Sequence, residues 1–482
     1  VPAASVLQES RVGFELSRTS EDSLRRRPGT ALAARPYLFV VLDGTDPLAG
    51  GARYTLEAIN EVHVGRGERR AVRIEEGDGG GRMVLELPSR LLSRLHARLR
   101  RGPGGWIVED AGSRNGTYVN GERVAQALVG PADLVEAGHV YLTVRSFDQP
   151  VDEATADLDG VDLAHEAAAF RTLSPAVAAE LEILRRAARA EISILLVGES
   201  GTGKEVLARA IHEHSGRPGP FVAVNCNTLK EGLAESLLFG HVRGAFSGAV
   251  TDSVGFVRAA DRGTLLLDEV QDLGAAAQGA LLRVVQEREV VPVGKAVPLK
   301  VDVRFVATSP RSLDPAIAGE RFRSDLFARL TGFVHAMTPL RDRREDLGLL
   351  VAALLAKAGV GPADRPRFAP DLALALLTHR WPLNVRELEQ LLTRTWLLAE
   401  DGLMSGAPLL VGAGTPDPGA GAPLRSERAL SPEEQEERRR LLEALEAAHG
   451  NVTEAARALG KGRVQMHRLM RRLAIDARRF RP

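Results

Sequence analysis

Cysteine is almost missing from this chain: Cys226 is the only one in 482 residues. That excludes an intrachain disulfide and any cysteine-rich zinc site, and it fits a reducing compartment. Lysine is scarce too. Lys204, Lys230, Lys295, Lys300, Lys357 and Lys461 are the only six, so arginine carries nearly all the positive charge. Net charge is absent: 63 Lys and Arg against 63 Asp and Glu give a formal +0, so only local charge can speak for a nucleic-acid partner. No apolar run reaches the roughly 18 residues of a membrane-spanning helix, and the opening residues lack the apolar core of a signal peptide. The expectation is a soluble, cytoplasmic protein with no membrane partner. Internal repeats are missing as well. What is present is globular, with 44% hydrophobic and 26% charged residues. At about 150 residues per domain, the length predicts roughly three units.

The pattern changes along the chain. Residues 1–36 have little apolar periodicity and carry a run from Ser20 to Arg27 ending in three arginines, which predicts a mobile tail. Short apolar runs at 37–42, 83–87, 106–108 and 140–144 alternate with glycine-rich turns, which predicts an all-β sandwich over 37–147. Residues 148–170 hold seven acids and no Lys or Arg, so 148–172 reads as an acidic, solvated linker. From 173, strands alternate with helices. The runs 192–197, 221–224, 264–267 and 303–307 read as buried parallel strands of an α/β core ending near 345. Residues 343–400 are helical by periodicity, which predicts a helical unit over 346–410, then a Gly/Pro/Ala-rich second linker over 411–430 and a basic helical unit over 431–482.

The run Gly198, Glu199, Ser200, Gly201, Thr202, Gly203, Lys204, Glu205 follows a buried strand and opens a helix. That is the setting of a phosphate-binding loop. The glycines let backbone N–H groups converge on phosphates, and the helix N-terminus adds a favourable dipole. Lys204 would reach the β- and γ-phosphates of ATP. Glu205 stands where a Mg²⁺-binding hydroxyl is usual. About 65 residues downstream, a second strand ends in Asp268-Glu269. Asp268 is placed to hold Mg²⁺ through water, and Glu269 to polarise an attacking water. Two acids ending an apolar strand are common; the phosphate loop upstream gives this pair its meaning.

These residues, with their neighbours, resemble the AAA+ domain of the sigma-54-dependent transcriptional activators. The loop has that family's form, including the Glu after the Lys. Val224-Asn225-Cys226 resembles the segment whose Asn restrains the water-polarising Glu. Gly244, Ala245, Phe246, Ser247, Gly248 and Ala249 resemble the surface loop that touches sigma-54, with Ser247 in place of Thr. Residues 322–330 resemble the segment carrying two arginine fingers, Arg323 and Arg329, which implies a ring, a hexamer in this family. Residues 338–343 and 381–388 complete the match, with Arg386 at the position of the nucleotide-sensing Arg. Two replacements stand out: Pro310 where the family has its sensing Asn, and Leu383 where it has Gly before Asn384.

Arg66, then Ser93-Arg94 with His96, then Arg114-Asn115 within Asp110–Gly121, form an ordered constellation. It resembles the forkhead-associated (FHA) domain, a phospho-motif reader. The resemblance implies that Arg66, Ser93, Arg94 and Arg114 bind phosphothreonine, that Asn115 holds the ligand backbone, and that His96 braces the loop. Thr19 and Thr30, just upstream, would be possible internal ligands. At the other end, residues 451–482 hold nine Lys or Arg and two acids, a local +7. A short helix, a Gly turn and a basic helix read as helix-turn-helix. The segment resembles the Fis-type DNA-binding domain, which implies a dimer and places Arg463, Gln465 and Arg468 in the major groove.

Taken together, the sequence predicts a multidomain chain: an all-β FHA sandwich, an α/β P-loop NTPase with helical lid, and an all-α helix-turn-helix. The implied function is an ATPase that remodels sigma-54 RNA polymerase from enhancer DNA, gated by a threonine-phosphorylated protein. Pro310 and Ser247 motivate an alternative: a DNA-binding regulator that uses ATP only as a structural ligand, or acts without sigma-54.

Overall fold

The computed structural model describes residues 32–77, 80–150, 157–163, 165–229, 232–406, 432–448, 455 and 457–459. Arg463, Gln465 and Arg468 lie outside the described residues, as do Lys461, Thr19, Thr30 and the second linker.

The first unit is built from β1 (Leu32–Asp43), β2 (Ala52–Thr55), β3 (Ile59–Arg66), β4 (Ala71–Gly77), β5 (Gly80–Leu87) and β6 (Ala97–Gly102). It continues with β7 (Gly105–Asp110), β8 (Thr117–Val119), β9 (Glu122–Val124), β10 (Gln126–Val129), β11 (Val135–Ala137) and β12 (Val140–Pro150), and the short β13 (Leu158–Asp159). Two sheets face each other, ordered β13-β2-β1-β12-β11-β8-β9 and β10-β7-β6-β3-β5-β4. Alternating residues such as Val62, Val64, Leu85, Leu99 and Leu142 fill the space between them, as period-two side-chain alternation requires. Two expectations change. β1 begins at Leu32 because β12 runs on to Pro150 and pairs with it. The acidic segment after 150 is not all solvated: Leu158 and Asp159 add an edge strand by pairing with Arg53 and Ala52.

The second unit begins with α1 (Pro175–Arg189), whose proline occupies the first turn, where its missing N–H costs nothing. There follow β14 (Ile194–Val197), α2 (Lys204–Ser215), β15 (Phe221–Asn225), α3 (Ala234–Phe239), α4 (Phe256–Ala259), β16 (Thr264–Asp268) and α5 (Ala275–Glu287). Then come β17 (Glu289–Val290), β18 (Leu299–Lys300), β19 (Arg304–Ser309), α6 (Asp314–Ala318), α7 (Ser324–Leu330) and β20 (Phe333–Ala336). The parallel sheet has the order β15-β16-β19-β14-β20. Its strands are apolar on both faces because both are covered. Ile194, Leu196, Leu266 and Val306 pack against α1 and α2; Leu195, Leu265, Leu267 and Ala307 join the core of the other face with Ala277 and Leu281 of α5. The expected four strands are present; the polar-interrupted edge strand β20 was not anticipated.

The lid comprises α8 (Leu347–Lys357), β21 (Arg367–Phe368), α9 (Pro370–Thr378), α10 (Asn384–Leu397) and β22 (Leu403–Met404). α11 (Pro432–Ala447) opens the C-terminal unit. One core is shared between units. Tyr37, Phe39, Val41 and Tyr141 of the sandwich pack in a single cluster with Leu347, Val351 and Leu355 of α8 and with Leu372 and Leu376 of α9. β1 is therefore buried on both faces, its Leu38 and Val40 pointing into the sandwich. Phe368 N–H donates to Gly44 O at 2.8 Å, and His139 Nε2 lies 2.8 Å from Phe368 O. Arg145 pairs with the fully buried Glu345. Next to it, Asp346 accepts hydrogen bonds from Leu173 N–H at 2.6 Å and Thr172 Oγ1 at 2.8 Å. Gly348 admits the close approach: a Cβ there would sit 2.4 Å from Val41 O.

Candidate functional site

The phosphate loop joins β14 to α2. Gly201 and Gly203 have φ of +77° and +101°, a region that side chains disfavour. Around Gly203 a Cβ would meet nothing within 4 Å, which leaves the α2 N-terminus open. Lys204 Nζ folds over the loop, donating to Gly198 O at 2.6 Å and Glu199 O at 3.1 Å. Burial pulls its pKa below the usual lysine range, partly opposed by Asp268 and Glu269.

The lid closes directly onto this loop. Arg341 forks onto Glu199 with two bonds of 2.7 Å, which hold the Glu199 carboxyl below its ordinary pKa. Asn384 is fully buried with φ +52°. Its amide donates to Glu199 Oε2 at 3.2 Å and Ser200 O at 3.1 Å, while its Oδ1 accepts Leu340 N–H at 2.9 Å. Arg386 Nη1 reaches Ser200 Oγ at 3.1 Å. Val385 N–H donates to Gly201 O at 3.0 Å, and a Cβ on Gly201 would be 2.0 Å from Leu383 O. Leu383 itself has φ −106° and an exposed side chain, so the position accepts leucine without strain. Arg341 and Asn384 fall within the matching segments 338–343 and 381–388, but their fork and bridge onto the loop depend on the tertiary fold.

Asp268 and Glu269 lie at the end of β16, beside the β14 loop. Asn225 is in register with Asp268 across β15 and β16, and its amide approaches Asp268 Oδ2 at 3.4 Å. The expected contact was with Glu269; the parallel register directs the amide to the aspartate instead. Thr308 of β19 donates to Asp268 Oδ1 at 2.5 Å and accepts Glu269 N–H at 3.0 Å. Glu269 has φ +55°, a left-handed conformation that costs of order 1 kcal/mol or more and turns its half-buried carboxylate out of the strand line. The chemistry of this set fits a nucleoside triphosphate with Mg²⁺: backbone donors and an ammonium for phosphates, one carboxylate for an ion that normally keeps phosphate and water ligands, and a second carboxylate beside it.

Arg323 immediately precedes α7 and forks onto Asp325 at 3.0 and 2.7 Å, both half in solvent. Arg329 is exposed on the same helix. Neither is among the partners found for the chain's own phosphate loop. The loop from Gly244 to Ala249 is a closed turn: Gly244 N–H donates to Ala249 O at 2.9 Å, and Ala249 N–H to Phe246 O at 3.0 Å. Gly244 and Gly248 supply φ of +80° and +108°. Phe246 stands out of this turn edge-on to His241, with Ser247 exposed beside it.

In the sandwich, three loops converge. Gly65 sits against the second loop, where a Cβ would be 1.9 Å from Arg94 O; this aligns exposed Arg66, whose N–H donates to Ser93 O at 2.9 Å. Ser93 Oγ accepts Arg114 N–H at 3.1 Å. His96 is fully buried; its Nδ1 accepts Ser93 N–H at 3.2 Å, which leaves Nε2–H to donate to Gly116 O at 3.2 Å. Burial lowers its pKa, so the neutral ring braces the loops. Asn115 Nδ2 donates to Leu91 O at 2.7 Å. Burial alone would raise the pKa of Asp110, but bonds from Ser113, Thr117 and the Gly112 backbone outweigh it and hold the carboxylate low. Arg66, Ser93, Arg114 and Asn115 thus face one end of the sandwich, with exposed Arg94 at its rim.

Comparison with known proteins gives four domain matches: an FHA domain over 62–138, a sigma-54 interaction domain over 170–335, an AAA+ ATPase lid domain over 341–410, and a bacterial regulatory protein of the Fis family over 434–473. The chain is 39% identical over 317 residues to the transcriptional regulatory protein GlrR of Escherichia coli K12, covering 65% of this chain and 69% of GlrR. It is 41% identical to the Nif-specific regulatory protein of Azotobacter vinelandii, covering 64% and 59%. The crystal structure of NtrX from Brucella abortus aligns at 31% identity and TM-score 0.45, over 64% of this chain and 70% of that one. Among the described residues no helix is long and apolar enough to cross a membrane.

Proposed function

Because the chain belongs to the sigma-54-dependent transcriptional regulators, we propose that it hydrolyses ATP in a ring to remodel sigma-54 RNA polymerase at enhancer DNA, in response to a threonine-phosphorylated partner. The observation that carries this reading is the clamp of lid on phosphate loop, with Asp268 and Glu269 at the end of β16, one strand removed from β14 across β19. Lys204 and the α2 N-terminus would bind the phosphates, and Arg386 would follow nucleotide state from the lid. Asp268 would hold Mg²⁺, which supplies charge neutralisation at the transferred phosphate. Glu269 would orient and deprotonate water. Arg329, exposed on α7, and Arg323, once released from its fork with Asp325, would reach a neighbouring subunit's site, which would make turnover depend on assembly. Phe246 and Ser247 would meet sigma-54, and Arg463, Gln465 and Arg468 would read DNA as a C-terminal dimer.

The shared core supports a route for gating. Asn115 of the phosphopeptide end holds Leu91 O. Ser89 Oγ donates to Gly138 O at 3.0 Å, and His139 next in sequence grips the lid at Phe368. A phosphopeptide that shifts Asn115 would reach the lid through this chain of contacts.

The test is ATPase rate against protein concentration, with and without a phosphothreonine peptide, paired with sigma-54-dependent open-complex formation. The reading predicts a cooperative rise and loss of turnover in Glu269→Gln. Arg66→Ala should abolish peptide binding, leaving unstimulated ATPase intact. An assembled ring with neither activity refutes it. Pro310 favours a second reading, a regulator that binds ATP without turnover; ATP binding with control of promoters lacking sigma-54 elements would select it.

A further inference from the structure

The end of β19 lacks the side-chain amide that Pro310 replaces, yet the two acidic residues beside it are held, Asp268 by its carboxylate and Glu269 by its backbone N–H. Ser309 does not hold them: its hydroxyl turns away to Arg311 O at 2.6 Å. Thr308 does. It is fully buried, and its one hydroxyl donates to Asp268 Oδ1 at 2.5 Å while accepting Glu269 N–H at 3.0 Å. A hydroxyl has one proton and two lone pairs, so this arrangement fixes its orientation and ties both acidic residues to one atom. The strand that carries it lies between β14 and β16. One residue on, Ser309 O accepts Gly198 N–H at 3.1 Å, so the same strand end also anchors the start of the phosphate loop.

The geometry points to Thr308 as the positioning residue that stands in for the missing amide. It sets Asp268 for the ion and fixes the left-handed turn that aims Glu269. This rests on the ATPase reading above. The bland alternative is a buried threonine that merely satisfies its own hydroxyl. Valine has nearly the same shape and suits a strand, so Thr308→Val removes the hydroxyl with little change in packing.

The experiment uses the full chain and compares wild type, Thr308→Val and Thr308→Ser. Turnover is measured against ATP concentration, and binding of a fluorescent ATP analogue against Mg²⁺ concentration. Losing an outer group that orients a metal ligand costs about 10–100-fold in activity or metal affinity. Thr308→Val should therefore lose at least about tenfold in kcat, with KM for ATP within about twofold, and need about tenfold more Mg²⁺ for half-maximal analogue binding. Thr308→Ser should keep most of both. Unchanged kcat and Mg²⁺ dependence in Thr308→Val overturns the assignment, as does a serine variant as impaired as the valine one. A wild type that binds ATP without turnover would sink the ATPase reading alone. The Mg²⁺ titration would still decide Thr308: a shifted midpoint supports it and an unshifted one overturns it.

Discussion

Arg145→Ala should loosen the sandwich from the lid. Glu345 is fully buried, Arg145 is its ion-pair partner, and Glu345 Oε1 has no hydrogen-bond partner among the described residues. Removing one member of a buried pair typically costs about 3–5 kcal/mol, because the remaining charge stays desolvated. Arg145 keeps 30% of its side chain in solvent, so water can partly replace it and the cost falls near the lower limit, about 3 kcal/mol. At about 2–4 °C per kcal/mol for a unit of this size, the melting transition should drop by about 6–12 °C. Glu345→Gln removes the charge and keeps an acceptor, so it should cost less, about 1 kcal/mol. The double variant should then recover at least about 1 kcal/mol relative to the sum of the two single losses. The assay is thermal and urea denaturation of the full chain, followed by far-ultraviolet circular dichroism. A shift under about 1 °C in Arg145→Ala, the behaviour of an exposed pair, or strictly additive losses, would refute the reasoning.

Burial raises the Asp346 carboxyl to about 6, opposed by Arg343. A group whose folded pKa is raised stabilises fully at low pH and loses that contribution as pH climbs through the folded value. The junction should therefore weaken between about pH 4 and 7, and Asp346→Asn should flatten that part of a melting-temperature-against-pH curve. Arg341→Ala frees Glu199 from its fork; nucleotide affinity should fall about tenfold by fluorescence titration, with melting temperature little changed. Gly65→Ala places a Cβ 1.9 Å from Arg94 O, so phosphothreonine-peptide binding should be lost by calorimetry even though no ligand-facing side chain is altered.

The nucleotide loop and its acidic strand were legible because each is local: a glycine run between strand and helix, and two acids at a strand end. The FHA constellation was legible as order along the chain, and Gly65 explains its geometry. What the sequence withheld depends on register and on contact between units. Whether Asn225 meets Asp268 or Glu269 is decided by how β15 lies against β16. Thr308 lies one residue beyond the expected strand run 303–307, and its place beside Asp268 follows only from how β19 lies against β16. One signal was available and unused. Residues 37–42 are apolar without interruption, whereas a strand with one wet face alternates. That run announced a cover on its outer side, and the cover is the lid.

A sheet strand greasy on both sides has a consequence for anyone cutting this protein apart. Starting the chain at residue 173 would strip Tyr37, Phe39 and Val41 from Leu347, Val351 and Leu372, baring an oily face on the very segment that grips the phosphate loop. Such a fragment should clump, or misreport nucleotide handling, before it reveals anything about how the sandwich bears on the ATPase.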